Sequence, residues 1–119
     1  MLIALVLFAL AAPAARTPDA EIRAAAEAMA PALQATRRDI HAHPELQYDV
    51  HRTAASVADK LKSFGCDEVV TGIGRTGVVG VIRGGKGAGS RVIGLRADMD
   101  ALPIEEANDV PYKSTVPGK

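Results

Sequence analysis

A single cysteine, no tryptophan, two tyrosines and two phenylalanines stand in 119 residues. One cysteine excludes an intramolecular disulfide framework and any zinc site built from several thiolates. Four aromatic side chains against 22 alanines leave a core short of bulky anchors, although alanine favours helix. Charge of one sign is missing too. Fourteen Lys and Arg balance fourteen Asp and Glu, so nothing points to a polyanion partner such as nucleic acid. The length is that of one domain or part of one. Without the first 15 residues, a chain of about 104 would bury roughly 60–70% of its unfolded surface. That suffices for folding and leaves little room for both a scaffold and a complete active site.

What is present begins with an uninterrupted apolar run, Leu2 to Ala12. A helix of about 14 residues at about 1.5 Å each spans about 21 Å, short of a hydrocarbon layer about 30 Å thick. A transmembrane anchor is therefore disfavoured. Ala12-Pro13-Ala14 fits the small-x-small pattern of a signal-peptidase site, with cleavage after Ala14. Residues 1–15 are thus expected to be a signal peptide. The remainder, 16–119, is expected to be exported, periplasmic or secreted, with no membrane attachment after cleavage. No Lys or Arg precedes the apolar run, which leaves room for a start further upstream. A buried N-terminal helix is the competing reading.

Thr17-Pro18-Asp19 predicts a helix opening, with a hydroxyl cap, proline at the first helical position and an acid near the positive end of the dipole. Ile22, Met29, Leu33 and Ile40 form one helical stripe. Pro31 lies inside it, and an interior proline costs about 3 kcal/mol, so a bend or two helices are expected. The segment should stop near His43-Pro44. A second helix is expected after Asp49 as N-cap, with Ala54, Val57, Ala58, Leu61 and Phe64 on one face. Lys60 and Lys62 fall in its last turn and Gly65 stops it. Beyond it the pattern turns to strands at Val69-Val70, Val78–Ile82 and Val92–Ala97, the last two joined by the loop Gly84–Ser90. Helices followed by strands suggest an incomplete α/β layered domain.

Gly72-Ile73-Gly74-Arg75-Thr76-Gly77 reads as a dinucleotide fingerprint, with Asp98 about where a ribose-binding acid would fall. That motif works only if a helix starts at its third glycine, because the helix N-terminus binds the pyrophosphate. Val78-Val79-Gly80-Val81-Ile82 follows instead, which predicts a glycine-rich turn feeding a strand. His41 and His43, two apart, would point to opposite faces of a helix, and Pro44 interrupts the spacing from His41 to Glu45. Helix-end or surface histidines are the better reading.

The chemistry-bearing stretch is Val92 to Pro103. Alternation puts Ile93, Leu95, Ala97 and Met99 on one side, and Arg96, Asp98 and Asp100 on the other. Two carboxylates at the end of a strand need a compensating cation: an arginine, a metal or a bound donor. Ligands bind at the carboxyl ends of strands in α/β sheets. Asp98 and Asp100 therefore read either as supports of a metal site or as a solvated pair bridged to Arg96. Spacing alone leaves both readings open.

Three stretches carry more than pattern. They are Arg37-Arg38-Asp39-Ile40-His41-Ala42-His43-Pro44-Glu45-Leu46 with Arg52-Thr53, then Thr76-Gly77-Val78-Val79-Gly80, then Leu95-Arg96-Ala97-Asp98-Met99-Asp100-Ala101-Leu102-Pro103-Ile104 with Glu105 and Pro111-Tyr112. In this order and spacing, from about residue 36 onward, they resemble the start of a metal-dependent amidohydrolase family. That family includes hippurate hydrolase, N-acyl-amino-acid amidohydrolases and indole-acetyl-amino-acid hydrolases. It is a branch of the co-catalytic metallopeptidases that also hold carboxypeptidases and aminoacylases. Gln47-Tyr48-Asp49-Val50 departs from the family's usual aromatic followed by glutamates.

The resemblance implies the amino-terminal portion of an α/β/α catalytic domain, which a smaller lid or dimerisation domain interrupts in the complete, possibly homodimeric enzyme. It implies hydrolysis of the amide bond of N-acyl amino acids or small peptides. Two divalent ions, zinc or manganese, would lower the pKa of a shared water and polarise the scissile carbonyl, while a carboxylate carries the proton to the leaving amine. The family's Cys-x-His pair follows a Pro-Gly turn like Val116-Pro117-Gly118-Lys119, and its general base lies further on, so Cys66 is not that cysteine. No metal ligand is expected within these residues, and the segment alone should be inactive. Asp98 resembles a position held by a histidine ligand in sister branches, and Asp100 the aspartate that orients the site from behind. Both are assigned a supporting role. The alternative is a small exported, non-catalytic α/β binding module, which lacks a Cys-x-His stretch downstream.

Overall fold

The computed structural model describes residues 18–85 and 89–119. The apolar run and its cleavage site lie outside the described residues, as does the centre of the Gly84–Ser90 loop. The chain divides into two compact units, Met1–Gln34 and Ala35–Lys119. Four elements occur in the order α1 (Pro18–Ala42), α2 (His51–Ser63), β1 (Glu68–Ile73) and β2 (Gly77–Val81). Two helices followed by two antiparallel strands make an incomplete α/β domain.

In the first unit the described residues are the opening of α1. Ile22, Met29 and Leu33 do share a helical stripe, but they are exposed. One helix, not two, runs through Pro31. The proline removes a single backbone donor, while the alanines around it lose almost no side-chain entropy on entering a helix. In the second unit α1 ends at Ala42, just before the His43-Pro44 dipeptide, and His43 N–H closes a tighter last turn onto Ile40 O at 3.1 Å.

Helix α2 starts with Val50 in the cap position and no side-chain bond from that residue. Asp49, expected as the cap, instead approaches His51 at 3.0 Å in the open solvent. The far end follows expectation. Gly65, at φ +81°, donates to Lys62 O at 3.0 Å, and Cys66 N–H reaches Leu61 O at 3.2 Å. These two bonds form the Schellman closure that a glycine in the left-handed region permits. Ala54 and Ala58 are buried on the predicted face, whereas Phe64 is 59% exposed and falls off its end.

Strands β1 and β2 pair with Val70 opposite Val79 and Thr71 opposite Val78, and a bulge lies between Thr71 and Ile73. The Gly72–Gly77 motif is the tip of this hairpin, where Gly74 and Arg75 both take positive φ. No helix follows it, as the β-branched continuation predicts. Leu61 and the Cys66 thiol pack on Gly80, where an added Cβ would sit 3.1 Å from both Leu61 methyls. The core of the described residues is small: Val50, Ala54 and Ala58, with the threonines Thr53 and Thr76.

The expected third strand does not form. Residues 91–100 adopt no regular structure, and Val92, Ile93 and Leu95 are 93%, 87% and 96% exposed. A strand exists only where a neighbour accepts its backbone bonds. Among the described residues none does so here, so the alternating pattern remains unexpressed and Gly84–Ser90 is not a hairpin loop between paired strands.

Candidate functional site

Glu45 is the hinge of the second unit. Its two carboxylate oxygens accept the N–H groups of Arg52 (3.0 Å) and Thr53 (2.7 Å). These are the second and third residues of α2, whose amides have no partner inside the helix. Glu45 thus does from a distance what an N-cap side chain does locally, and its charge faces the positive end of the dipole. Burial pushes its carboxyl up, but the backbone bonds from Thr53 and Arg52 outweigh burial and hold it below the usual range. The Thr53 hydroxyl, buried beside the same carboxylate, favours the charged form without making a well-formed hydrogen bond. Arg52 itself turns its guanidinium back to α1, where Nη2 donates to both oxygens of Asp39 at 2.8 and 2.9 Å. That hydrogen bond keeps Asp39 well ionised.

The backbone of the same residue holds the downstream segment. Ala101 N–H donates to Glu45 O at 2.8 Å, and Leu46 and Ala101 form an isolated parallel bridge. Further along, Thr115 donates to Ala42 O from both its amide (2.8 Å) and its hydroxyl (2.6 Å). His41 Nε2 bonds Glu106 Oε2 at 2.5 Å, and this bond, with help from Asn108, lowers the Glu106 carboxyl. The Tyr112 ring meets His41 edge to face at 5.6 Å, and Arg37 and Arg38 stack their guanidinium groups on it at 5.2 and 4.8 Å. Residues 99–116 are therefore clasped to the end of α1 by backbone bonds, a side-chain hydrogen bond and aromatic contact together.

The stretch that begins at Thr76 joins at the hairpin. Thr76 is 7% exposed, and its hydroxyl donates to Tyr48 O at 3.0 Å. The three sequence stretches singled out above thus meet in one unit, two of them through Glu45 and His41 and the third through Thr76.

Asp100 lies immediately before the anchored Ala101 and borders two hollows. One is a groove of about 710 Å³ lined by Ile40, His41, Met99, Leu102 and Glu106 among others. The other, about 310 Å³, is shared with Tyr48, Thr76, Arg96 and Asp98. Asp98 pairs with Arg96 at 2.8 Å, both largely exposed. The structure thus separates the two acids: Asp98 is neutralised locally, while no ion pair engages Asp100 among the described residues.

The histidines serve different partners. His41 takes Glu106, His51 takes Asp49, and His43 Nδ1 donates to the backbone oxygen of Asp39 at 2.8 Å. Among the described residues no three His, Cys, Asp or Glu side chains converge as a metal site would need. Sequence reasoning missed Glu45, Glu106, Tyr112 and Thr76 as organisers. Only Glu45 left a local signal, an acid just after the helix-ending proline and shortly before the next helix.

No family model and no solved structure matches the sequence. Curated relatives do. Hippurate hydrolase of Campylobacter jejuni is 56% identical over 78 residues, covering 66% of this chain and 20% of the relative. Thermostable carboxypeptidase 2 of Saccharolobus solfataricus is 51% identical over 83 residues, 69% of this chain and 20% of the relative. The N-acyl-L-amino acid amidohydrolase of Geobacillus stearothermophilus is 43% identical over 84 residues, 71% of this chain and 22% of the relative. The chain therefore spans about a fifth of the length of the curated relatives it matches. Over the stretch it shares with these hydrolases and carboxypeptidases, the chain is a segment of the amidohydrolase family.

Proposed function

We propose that these residues are the amino-terminal portion of an exported, metal-dependent amidohydrolase that cleaves N-acyl amino acids or small peptide amides. The 56% identity to a hippurate hydrolase carries this reading. It is supported by the way the family-like stretches around His41, Thr76 and Asp100 assemble into one unit. In the complete enzyme two divalent ions, zinc or manganese, would supply the activated water and polarise the amide carbonyl. The work left to this segment is positional. It holds the backbone next to Asp100, whose carboxylate no ion pair engages among the described residues, so that it can accept a hydrogen bond from a ligating group and fix its orientation. Asp98, engaged by Arg96, keeps the neighbouring charge balanced.

Hydrolysis of hippurate and other N-acyl amino acids by the complete gene product, before and after chelation, tests the reading. Chelator-sensitive release of the free amino acid is expected. A metal-loaded, folded protein that leaves every N-acyl amino acid intact would overturn it and favour the binding module. Export rests on Leu2–Ala12 and Ala12-Pro13-Ala14. Amino-terminal sequencing after expression in a Gram-negative host should begin at or near Ala15, and an intact Met1 on cytoplasmic protein would contradict it.

A further inference from the structure

Glu45 makes two kinds of bond in two directions. Its side chain caps α2 through Arg52 and Thr53, and its carbonyl receives the amide of Ala101. A residue tied at both ends transmits force, because releasing the carboxylate frees the φ and ψ of the peptide that carries the carbonyl. We infer that Glu45 is a positioning residue that couples the N-terminus of α2 to the backbone beside Asp100. The coupling rests on the proposed function only in giving Asp100 a role. The juxtaposition itself is geometric.

Several observations favour coupling over a cap alone. Val50, at the cap position, contributes no side-chain bond, so both amides depend on Glu45. Asp49, the nearest acid that could substitute, is turned to His51. The next anchors after Ala101 are His41–Glu106 and Thr115–Ala42, and both attach to α1 rather than to α2. The bridge at Leu46 and Ala101 is thus the point at which α2 and the Asp98–Asp100 segment share a support.

Amide hydrogen exchange on the 119-residue chain, corrected for intrinsic rates, tests this directly. In Glu45→Ala the protection of Arg52, Thr53 and Ala101 should fall together by about tenfold or more, although the acceptor of Ala101 is a backbone atom that the substitution retains. Thr115, bonded to Ala42, should keep its protection and serves as the internal control. Glu45→Gln retains one acceptor oxygen and should rescue part of the protection at all three amides. Loss at Arg52 and Thr53 with Ala101 unmoved would overturn the coupling and leave Glu45 a cap. Should Glu45→Ala unfold outright, with Thr115 losing protection as well, Glu45→Gln yields the same two outcomes. The functional reading fails separately: an Asp100→Asn enzyme of full activity would remove the role of Asp100 and leave a demonstrated coupling intact.

Discussion

Residues 37–53 with 99–116, and residues 91–96, both mix apolar and charged side chains and end in opposite states. The first region has every element of a clasp: Glu45 on the α2 amides, His41 on Glu106, Tyr112 beneath two arginines, and Thr115 on Ala42. The second has Val92, Ile93 and Leu95 almost wholly exposed. Hydrophobicity does not separate them. Partners do, because a polar group can complete a short-range bond with a neighbour a few ångströms away, whereas a strand needs a second strand along its whole length. The clasp is self-sufficient within this segment and the apolar strip is not.

Breaking the small core should have the largest effect. Ala58 is 4% exposed, so Ala58→Asp buries a charge without a partner. It should cost on the order of 2–4 kcal/mol or more and abolish the denaturation transition of the chain, as followed by circular dichroism in urea. Survival of a cooperative transition would mean that the core lies elsewhere.

Next in size is the site itself. In the complete enzyme Asp100→Asn should lower turnover of an N-acyl amino acid by about 10–100-fold while folding is retained. Met99→Leu beside it conserves volume and should cost under about 1.5 kcal/mol, with chemistry unchanged. Equal activity of Asp100→Asn and parent would make the acid a surface charge.

Acid sharpens the comparison by acting on only one of the regions. Asp39, Glu45 and Glu106 all have folded-state pKa values held below their ordinary ones. Their contributions are therefore fully present above the unfolded carboxylate range, about pH 4–4.5, and are lost as the pH falls through the lowered folded values. Protection of the Thr53 amide, corrected for intrinsic exchange rates, should stay constant from neutrality to about that range and fall below it. A loss of that protection centred near neutrality would show that a group other than a carboxylate holds the amide.

The smallest effect is expected where exposure is greatest. Leu95→Lys in this chain should alter stability by no more than about 0.5 kcal/mol, and it should improve solubility by breaking an exposed apolar strip. A measured loss of more than about 2 kcal/mol would show that the strip is covered after all.

Much of this was legible before the fold. The end of α1 before Pro44, the glycine stop at Gly65 and the turn at Gly72–Gly77 follow from local backbone preferences, because proline and glycine restrict or extend the allowed dihedrals whatever surrounds them. The family-like stretches were likewise readable as text. The cap of α2 was not. Asp49 has the right chemistry and the right place in sequence, yet Glu45 holds the amides, since a longer side chain approaching from the α1 side meets both donors.

Local sequence, then, determined the helices, the hairpin turn and the set of residues that belong to an amidohydrolase, for each depends on neighbours a few positions away. Tertiary structure alone decided that Glu45 joins α2 to Ala101, that Glu106 reaches His41, and that Val92–Ala97 finds no partner strand among the described residues. Those outcomes turn on which distant groups come within bonding reach. No period or propensity encodes that distance.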